Sequence, residues 1–273
     1  MAFEMQCIRK VKEVVQYARP YVGEERIQVG CLGYQDIILS TAQARALLGA
    51  EGYMRSLTRW DVYSSAKRKN RKLAFLPTLE AKAIFADPKA REKLKIDKLP
   101  SLLRALQQDV FIYETQNIFA GFGCEYSAID VIAHTGTEKI HDLNYPITDN
   151  LRDVFDIVVD GGTMEHCFNV PEVLFNIVKM LKLNGFILHI SPITYPNHGY
   201  YNFNPVLFHE FYTHNGCKTI SCTCAVVYSE DQPKTIPLSD TFELPLQNTV
   251  MFFIAQKIIA TNSIGFPLQG IYR

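Results

Sequence analysis

The sequence predicts an α/β fold built on a doubly wound, mostly parallel sheet that ends in an antiparallel hairpin. From residue 105 onward, short apolar segments rich in β-branched residues alternate with segments whose apolar residues recur at helical spacing. This alternation is typical of a parallel sheet with helices on both faces. The last two apolar runs, TISCTCAVVY and TVMFFIAQKII, have no helical pattern between them, which indicates antiparallel strands.

The chain is long enough for one large core, since it has 273 residues of which 48% are hydrophobic. We therefore predict a single domain over residues 1–273. Apolar residues at helical spacing predict an N-terminal helix within residues 1–24. Residues 55–104 carry 14 Lys and Arg against 5 Asp and Glu, a net charge of +9 in a chain whose net charge is zero. We interpret this stretch as a basic helical insertion or lid.

The remaining elements follow in chain order. RIQVGCLGYQDIIL predicts a strand, a glycine turn and a second apolar segment, and a helix then begins at Thr41. LQQDVFIYETQNIFAGFG predicts a helix that ends at Gly121 or Gly123. CEYSAIDVI, EKIHDLN and FDIVVDGG predict three strands. VPEVLFNIVKMLKLNG predicts a helix with Pro171 in its first turn and Gly185 at its end, followed by the strand FILHISPI and the helix PVLFHEFYTHNG.

Composition narrows the class of protein. No secretory leader or apolar run long enough to cross a bilayer is visible, and the seven cysteines are scattered, so we expect free thiols in a cytoplasmic compartment. The basic run SSAKRKNRK could bind phosphate, nucleic acid or an acidic sugar, although a solvated helix face is the commoner explanation. No sequence signature of a nucleic-acid-binding fold accompanies it, which argues against a nucleic-acid partner. The sequence leaves homo-oligomer formation open.

Three predicted strands end in a carboxylate, at Asp130, Asp142 and Asp160. Ligands of an open parallel sheet bind beyond the carboxyl ends of its strands, where small residues admit them and polar residues orient them. The segment VVDGGTMEH fits this pattern, because an apolar strand runs into Asp160, Gly161 and Gly162. Aspartate also favours turns and helix caps without any ligand, so each carboxylate alone allows both interpretations.

The segment FDIVVDGGTMEHCFNVPEVLFNIVKMLKLNGFILHISP resembles the second half of class I S-adenosylmethionine-dependent methyltransferases, and the terminal strands are similar to that family's hairpin. SPITYPNHGYYNFNPVLFHEFYTHNG resembles a bacterial subgroup associated with glycans and small molecules. The resemblance covers roughly residues 120–260. It implies a Rossmann-like fold, S-adenosylmethionine as cofactor, and methyl transfer to a hydroxyl or amine of a small molecule or glycan precursor.

The resemblance also implies positions for the cofactor. Asp130, Asp142 and Leu143 of HDLNYPI, and Asp160 with Gly161 and Gly162, would surround it. The family's acidic residue followed by G-x-G-x-G is not found. The nearest segment is VGCLGYQD, with Gly30 and Gly33, and an alternative is FAGFG, with Gly121 and Gly123. A non-catalytic methyltransferase-like subunit that binds or scaffolds is therefore the alternative function.

The acceptor would face a second set of residues. Glu165, His166 and His198 are candidates for removing a proton from the acceptor, since imidazole titrates near neutrality. Tyr200, Tyr201 and Phe203 could sandwich a sugar or a planar ring. Asp160 together with Glu165, His166 and His198 could also form a carboxylate–histidine metal site, but nothing in their spacing requires one, and the sequence leads us to expect no metal ion.

Overall fold

The structure is a computed structural model. It describes residues 2–3, 5–56, 89, 110–113, 115–133, 138–227, 233–238, 248–260 and 263–272. The predicted insertion at 55–104 lies almost entirely outside the described residues, so its helical character stays a prediction. The described residues belong to two compact units, one comprising residues 10–34 and 124–273 and the other residues 2–9 and 35–123.

The helices and strands are numbered here in chain order. They are β1 (Ala2–Phe3), α1 (Met5–Val22), β2 (Ile27–Leu32), β3 (Asp36–Ser40), α2 (Thr41–Ser56), β4 (Val110–Tyr113), α3 (Thr115–Gly121), β5 (Cys124–Asp130), β6 (Lys139–Ile140), β7 (Phe155–Asp160), α4 (Val170–Met180), β8 (Leu181–Thr194), α5 (Pro205–His214), β9 (Cys217–Val226), β10 (Lys234–Thr235) and β11 (Thr249–Lys257).

The larger unit contains an eight-stranded sheet in the order β6-β5-β2-β7-β8-β11-β9-β10. From β6 to β8 every pair of neighbours is parallel, whereas β11 runs antiparallel to both β8 and β9. The chain thus winds outward from β2 to β6, returns to β7 and continues in the opposite direction, which is the doubly wound arrangement. This confirms the predicted fold class, including the antiparallel pair of C-terminal strands.

The centre of this sheet is buried on both faces. Every residue of β7 and β11 is buried, as expected for strands covered by helices on both sides. On one face Tyr17 and Tyr21 of α1 contact the ring of Phe186, at centroid distances of 6.2 and 6.0 Å. Apolar residues of α4 and α5 belong to the core cluster that also contains Leu32, Val158 and Phe253 among others. The core therefore holds the strand ends in fixed positions.

The helix α4 is shorter than the sequence pattern predicts. It ends at Met180, and Leu181 already begins β8, so Gly185 lies inside a strand rather than at a helix end. The side chain of Lys257 explains the early end, because its Nζ atom donates to the carbonyl oxygens of Val178 and Leu181 at 3.0 and 2.6 Å. In a longer helix these carbonyl oxygens would accept from backbone amides further along the chain, and here the buried ammonium group of Lys257 donates to them instead.

The smaller unit has a three-stranded sheet in the order β1-β3-β4. The pair β1 and β3 is parallel and the pair β3 and β4 antiparallel. The prediction of one helix up to Gly121 or Gly123 was wrong over its first part, since residues 110–113 form β4 and only residues 115–121 are helical. The segment VFIY has the β-branched and aromatic residues that favour a strand.

The sequence also predicts that the chain has no membrane-spanning segment and that its cysteine thiols are free. None of the helices in these residues has both the length and the hydrophobicity that a membrane crossing requires. All seven cysteines are free and buried. Burial raises the pKa of Cys124, Cys167, Cys217 and Cys222 to about 12, so these four thiols stay protonated at neutral pH.

Candidate active site at the carboxyl edge of the sheet

The carboxyl ends of the parallel strands meet at one edge of the larger sheet. Leu32, the last residue of β2, is in register with Ile129 of β5 on one side and with Asp160 of β7 on the other. Asp130 is in register with Ile140, the last residue of β6. The chain therefore brings Asp130 and Asp160 to the same edge, on either side of the end of β2.

A tight turn follows β2 at this edge. Gly33 has a φ of 71°, which a residue with a side chain rarely adopts, and its amide donates to the carbonyl oxygen of Ile129 at 2.7 Å. The amide of Tyr34 donates to Oδ2 of Asp130 at 2.9 Å, and the amide of Ile132 donates to Oδ1 at 3.2 Å. Asp130 thus fixes the turn with its carboxylate and stays partly exposed.

The other predicted glycines lie elsewhere. Gly30 is inside β2, where a Cβ atom would come within 2.8 Å of the Phe155 ring, so the glycine makes room for a core side chain. Gly123 directly precedes Cys124, the first residue of β5. It therefore lies at the amino end of that strand, and the alternative that Gly121 and Gly123 line the carboxyl edge does not agree with the topology.

The loop after β6 contains Asp142 and Leu143. Oδ1 of Asp142 accepts hydrogen bonds from the backbone amide and the side-chain Nδ2 of Asn144, at 2.9 and 2.8 Å, and so forms a turn. Leu143 is buried in the core, while its carbonyl oxygen accepts from Nδ2 of Asn176 in α4 at 3.2 Å. The loop is therefore fixed to the body of the larger unit.

Asp160 is completely buried and binds groups of the protein itself. Its Oδ1 atom accepts from the amides of Thr163 and Met164, at 3.0 and 3.1 Å. Its Oδ2 atom lies 2.8 Å from Nδ1 of His189. Gly161 and Gly162 form the turn between these partners, and Gly162 has a φ of 85°. Asp160 therefore shapes the loop after β7 rather than presenting a carboxylate at the surface.

The contacts of Asp160 continue into a buried polar chain that sequence reasoning did not predict. His189 of β8 is completely buried, and its Nε2 atom lies 2.7 Å from the hydroxyl of Tyr212 in α5. A carboxylate only accepts, so Nδ1 of His189 donates to Asp160, and in the tautomer with the proton on Nδ1 the Nε2 atom accepts from Tyr212. Burial raises the pKa of Tyr212 well above 10, which keeps this hydroxyl a donor. We call Asp160, His189 and Tyr212 the buried chain.

Three other predicted residues, at the ends of β7 and β8, form a compact group, which we call the Glu165 cluster. Glu165 and His166 lie on the short 3₁₀ turn Met164–His166, and His198 lies in the loop after β8. One ligand-type atom from each of the three side chains lies within 4.8 Å of the others. Nε2 of His198 is 3.4 Å from Oε1 of Glu165. The amide of Tyr200 donates to the carbonyl oxygen of Glu165 at 2.8 Å, which holds the two loops together.

The carboxylate of Glu165 is completely buried. Among the described residues, neither of its oxygen atoms has a hydrogen-bond partner, and the same holds for Nε2 of His198. A buried carboxylate without hydrogen bonds is costly, and natural proteins rarely contain one without a functional reason. Desolvation lowers the pKa of His166, and the nearby His198 contributes in the same direction while Glu165 opposes it.

The aromatic residues of the loop after β8 have different positions. Tyr200 is 70% exposed and packs edge-on against Phe168, which is 75% exposed, at a centroid distance of 6.0 Å. The Tyr201 hydroxyl donates to the carbonyl oxygen of Phe168 at 3.0 Å. Phe203 is buried and packs against Phe208, so it belongs to the core, in contrast to its predicted contact with a substrate.

Sequence reasoning missed Phe168 and Tyr195 as members of this site. Phe168 interrupts the polar segment EHCFN two residues after His166, and this isolated apolar residue was the available signal. The ring of Tyr195 stacks on His198 at 4.4 Å with an interplanar angle of 14°, and so orients the imidazole. Phe168 and Tyr200 form an exposed aromatic pair beside the Glu165 cluster.

Close packing at Gly199 yields a first prediction. A Cβ atom at this position would lie 2.7 Å from the carbonyl oxygen and 2.8 Å from Cγ of Glu165. We expect Gly199→Ala to lower the free energy of unfolding by about 1–3 kcal/mol, because the two loops must move apart. Urea denaturation measures this change. Pro196→Ala, at an exposed position of the same loop, serves as the control and should change stability by less than about 1 kcal/mol. An equal effect of both substitutions would contradict the tight packing.

Comparisons with known proteins give structural likenesses alone. No protein-family model matches the chain, and no curated protein is similar to it. Among solved structures, the chain is similar to TehB from Haemophilus influenzae, with 12% identity and a TM-score of 0.37. The match covers 51% of this chain and 52% of the TehB chain, so it spans about half of TehB.

Two other solved structures match over most of the chain. The 1,6-didemethyltoxoflavin-N1-methyltransferase of Burkholderia thailandensis, with bound S-adenosylhomocysteine, has 9% identity and a TM-score of 0.41, over 91% of this chain and 78% of that chain. The CMeT domain of the citrinin polyketide synthase has 11% identity and a TM-score of 0.36, over 92% and 89%. These likenesses are weak, and the fold assignment rests on the strand order instead. That order gives the chain the Rossmann-like fold implied by its resemblance to class I S-adenosylmethionine-dependent methyltransferases.

Proposed function

We propose that the protein transfers a methyl group from S-adenosylmethionine to a hydroxyl or amine of a small molecule or glycan precursor. The observation that carries this proposal is the convergence of Asp130, the turn at Gly33 and the Glu165 cluster at one edge of a doubly wound sheet. Ligands of such sheets bind at this edge. The resemblance of residues 120–260 to class I S-adenosylmethionine-dependent methyltransferases supports the choice of cofactor.

The residues at the ends of β5 and β6 fit an adenosyl group. Asp130 is partly exposed at this edge and accepts the backbone amides of Tyr34 and Ile132, and its carboxylate would also accept the ribose hydroxyls. Asp142 and Leu143 follow β6 on the same side, and because the Leu143 side chain is buried in the core, Asp142 and the loop backbone would contact the adenine. The backbone of Gly33 has no side chain to obstruct the cofactor. The buried chain acts at a distance, since Asp160 holds the loop that carries Glu165.

The Glu165 cluster would act on the acceptor. A methyl group bound to a sulfonium is transferred by in-line displacement, so the protein has to orient the acceptor and assist removal of its proton. A neutral His166 or His198 can take up that proton, and the negative charge of Glu165 stabilises the resulting imidazolium. Phe168 and Tyr200 offer an exposed surface on which a planar or sugar ring can stack.

Calorimetry with S-adenosylhomocysteine tests the proposed cofactor. We expect binding at micromolar concentration or below, which corresponds to about −8 kcal/mol. Asp130→Asn should weaken binding at least tenfold, because it removes the charge that accepts the ribose hydroxyls. The matched control is Glu24→Gln, which removes an exposed charge before β2, at the opposite edge of the sheet. Absence of binding at millimolar concentration would favour the alternative of a non-catalytic subunit.

A further inference from the structure

The Glu165 cluster has the donor set of a metal centre. Its three ligand-type atoms, one carboxylate oxygen and two imidazole nitrogens, lie within 4.8 Å of one another. Ligands bound at about 2.1 Å to one ion are roughly 3.0–3.5 Å apart. The 3.4 Å between Glu165 Oε1 and His198 Nε2 already has this value. His166 is the most exposed of the three, and its ligand-type atom lies within 4.8 Å of the other two.

A second observation points to a ligand at the same place. Glu165 is completely buried, and among the described residues both of its oxygens and Nε2 of His198 have no hydrogen-bond partner. The ring centroids of His166 and His198 lie 5.2 Å apart at an interplanar angle of 65°, so the two imidazoles are direct neighbours. A cation between the three groups would compensate the buried negative charge and occupy all the open acceptor positions at once.

We propose that Glu165, His166 and His198 bind one divalent transition-metal ion. Two imidazoles and one carboxylate, contributed by two adjacent loops, form the two-histidine, one-carboxylate arrangement that leaves further coordination positions open. Imidazole ligands favour Zn²⁺, Co²⁺, Fe²⁺ and Ni²⁺ over Mg²⁺ and Ca²⁺. The open positions would bind one or two oxygen atoms of the acceptor and lower the pKa of a bound hydroxyl. The proposal of a metal site does not depend on the proposed function, whereas the role of the ion in binding the acceptor rests on the proposed methyl transfer.

The surroundings of the cluster hold the ligand-bearing side chains and loops in place. Stacking on Tyr195 fixes the orientation of the His198 ring. The hydrogen bond from the Tyr200 amide to the carbonyl oxygen of Glu165 fixes the relative position of the two ligand-bearing loops. Such preorganisation is what a selective metal site requires.

A charged pair between Glu165 and a protonated His198 is the competing explanation of the 3.4 Å contact. It compensates the carboxylate without a cation and gives no role to His166. The two explanations differ in a measurable way, because only a metal centre binds Co²⁺ with nitrogen ligands and gives the intense visible absorption bands of a low-coordinate ion.

The experiment uses the full chain without a histidine tag, freed of metal by chelation and titrated with Co²⁺ and Zn²⁺. We expect one ion per chain with a dissociation constant at or below the micromolar range, and roughly 100-fold weaker binding in Glu165→Gln and in His198→Asn. His141→Asn is the control, since His141 lies at the same sheet edge and contacts the carbonyl oxygen of Tyr145. Binding that is absent, or equally weakened by His141→Asn, would overturn the proposal.

Titration of the same metal-free protein with S-adenosylhomocysteine separates this proposal from the proposed function. Ion binding without binding of the nucleoside leaves the metal site in place and removes the methyl transfer. Binding of the nucleoside without ion binding removes the metal site and leaves methyl transfer with a protein base. If Glu165→Gln fails to fold, His198→Asn and the Co²⁺ spectrum of the unmodified chain still decide the question.

Discussion

Replacing His189 with phenylalanine is expected to lower the free energy of unfolding by about 3–5 kcal/mol, which is a large part of the stability of an ordinary domain. The imidazole is the partner of Asp160 Oδ2 on one side and of the Tyr212 hydroxyl on the other, and all three residues are completely buried. A phenyl ring fills a similar volume but leaves a buried carboxylate oxygen and a buried hydroxyl without partners. Chemical denaturation followed by circular dichroism measures the change.

Tyr212→Phe is the matched control for this prediction. It removes only the outer hydroxyl of the buried chain and keeps the contact between His189 and Asp160, so we expect a loss of about 1–3 kcal/mol. The difference between the two variants isolates the contribution of the buried carboxylate. Equal losses in both would show that the buried chain is not organised around Asp160.

Replacing Glu165 with glutamine is expected to lower the rate of methyl transfer about 10²–10⁴-fold while the free energy of unfolding stays the same or rises. The carboxylate is completely buried, and in the described part of the chain its oxygens lack hydrogen bonds, so its charge costs stability in the folded state. In the proposed function the charge serves the cluster either as the partner of a histidine that takes up a proton or as a metal ligand. Opposite effects on activity and stability identify a functional residue.

The measurement uses S-adenosylmethionine with a labelled methyl group and a panel of hydroxyl and amine acceptors, and thermal unfolding of the same samples. Glu172→Gln serves as the control, because Glu172 pairs with Lys179 on α4 at 3.5 Å, away from the cluster, and its loss should leave the rate within a factor of two or three. A Glu165→Gln variant that retains the full rate would remove Glu165 from the catalytic residues.

The fold could be predicted from sequence because strands and helices of the larger unit alternate with clear apolar patterns. The boundaries of α4 and β4 could not, since they depend on partners far away in the chain. The end of α4 is determined by Lys257 of β11, whose ammonium group binds carbonyl oxygens there. The residues around Met180 themselves do not predict a helix end. The residues VFIY of β4 favour a strand and pair with β3, but four residues between segments that favour a helix are too short a signal to place the boundaries.

The sequence correctly indicated that the candidate site lies at the carboxyl edge of the sheet. It was less informative about the role of each side chain. Glu165, His166 and His198 are brought together as the loop positions implied. Asp160 illustrates the limit of such reasoning, because its position after an apolar strand suits a cofactor ligand and a buried structural residue equally well. Only the partner His189, 29 positions along the chain, distinguishes these roles.

The position of β11 has a consequence for how the protein is synthesised. This strand is the last of the large sheet in the sequence, yet it lies between β8 and β9. While the ribosome is still translating the residues before Thr249, β8 and β9 each expose an unpaired backbone edge, and such edges promote association between nascent chains. Chains interrupted before this strand would therefore aggregate rather than fold, and chaperone binding during translation should be strongest in the interval before it emerges.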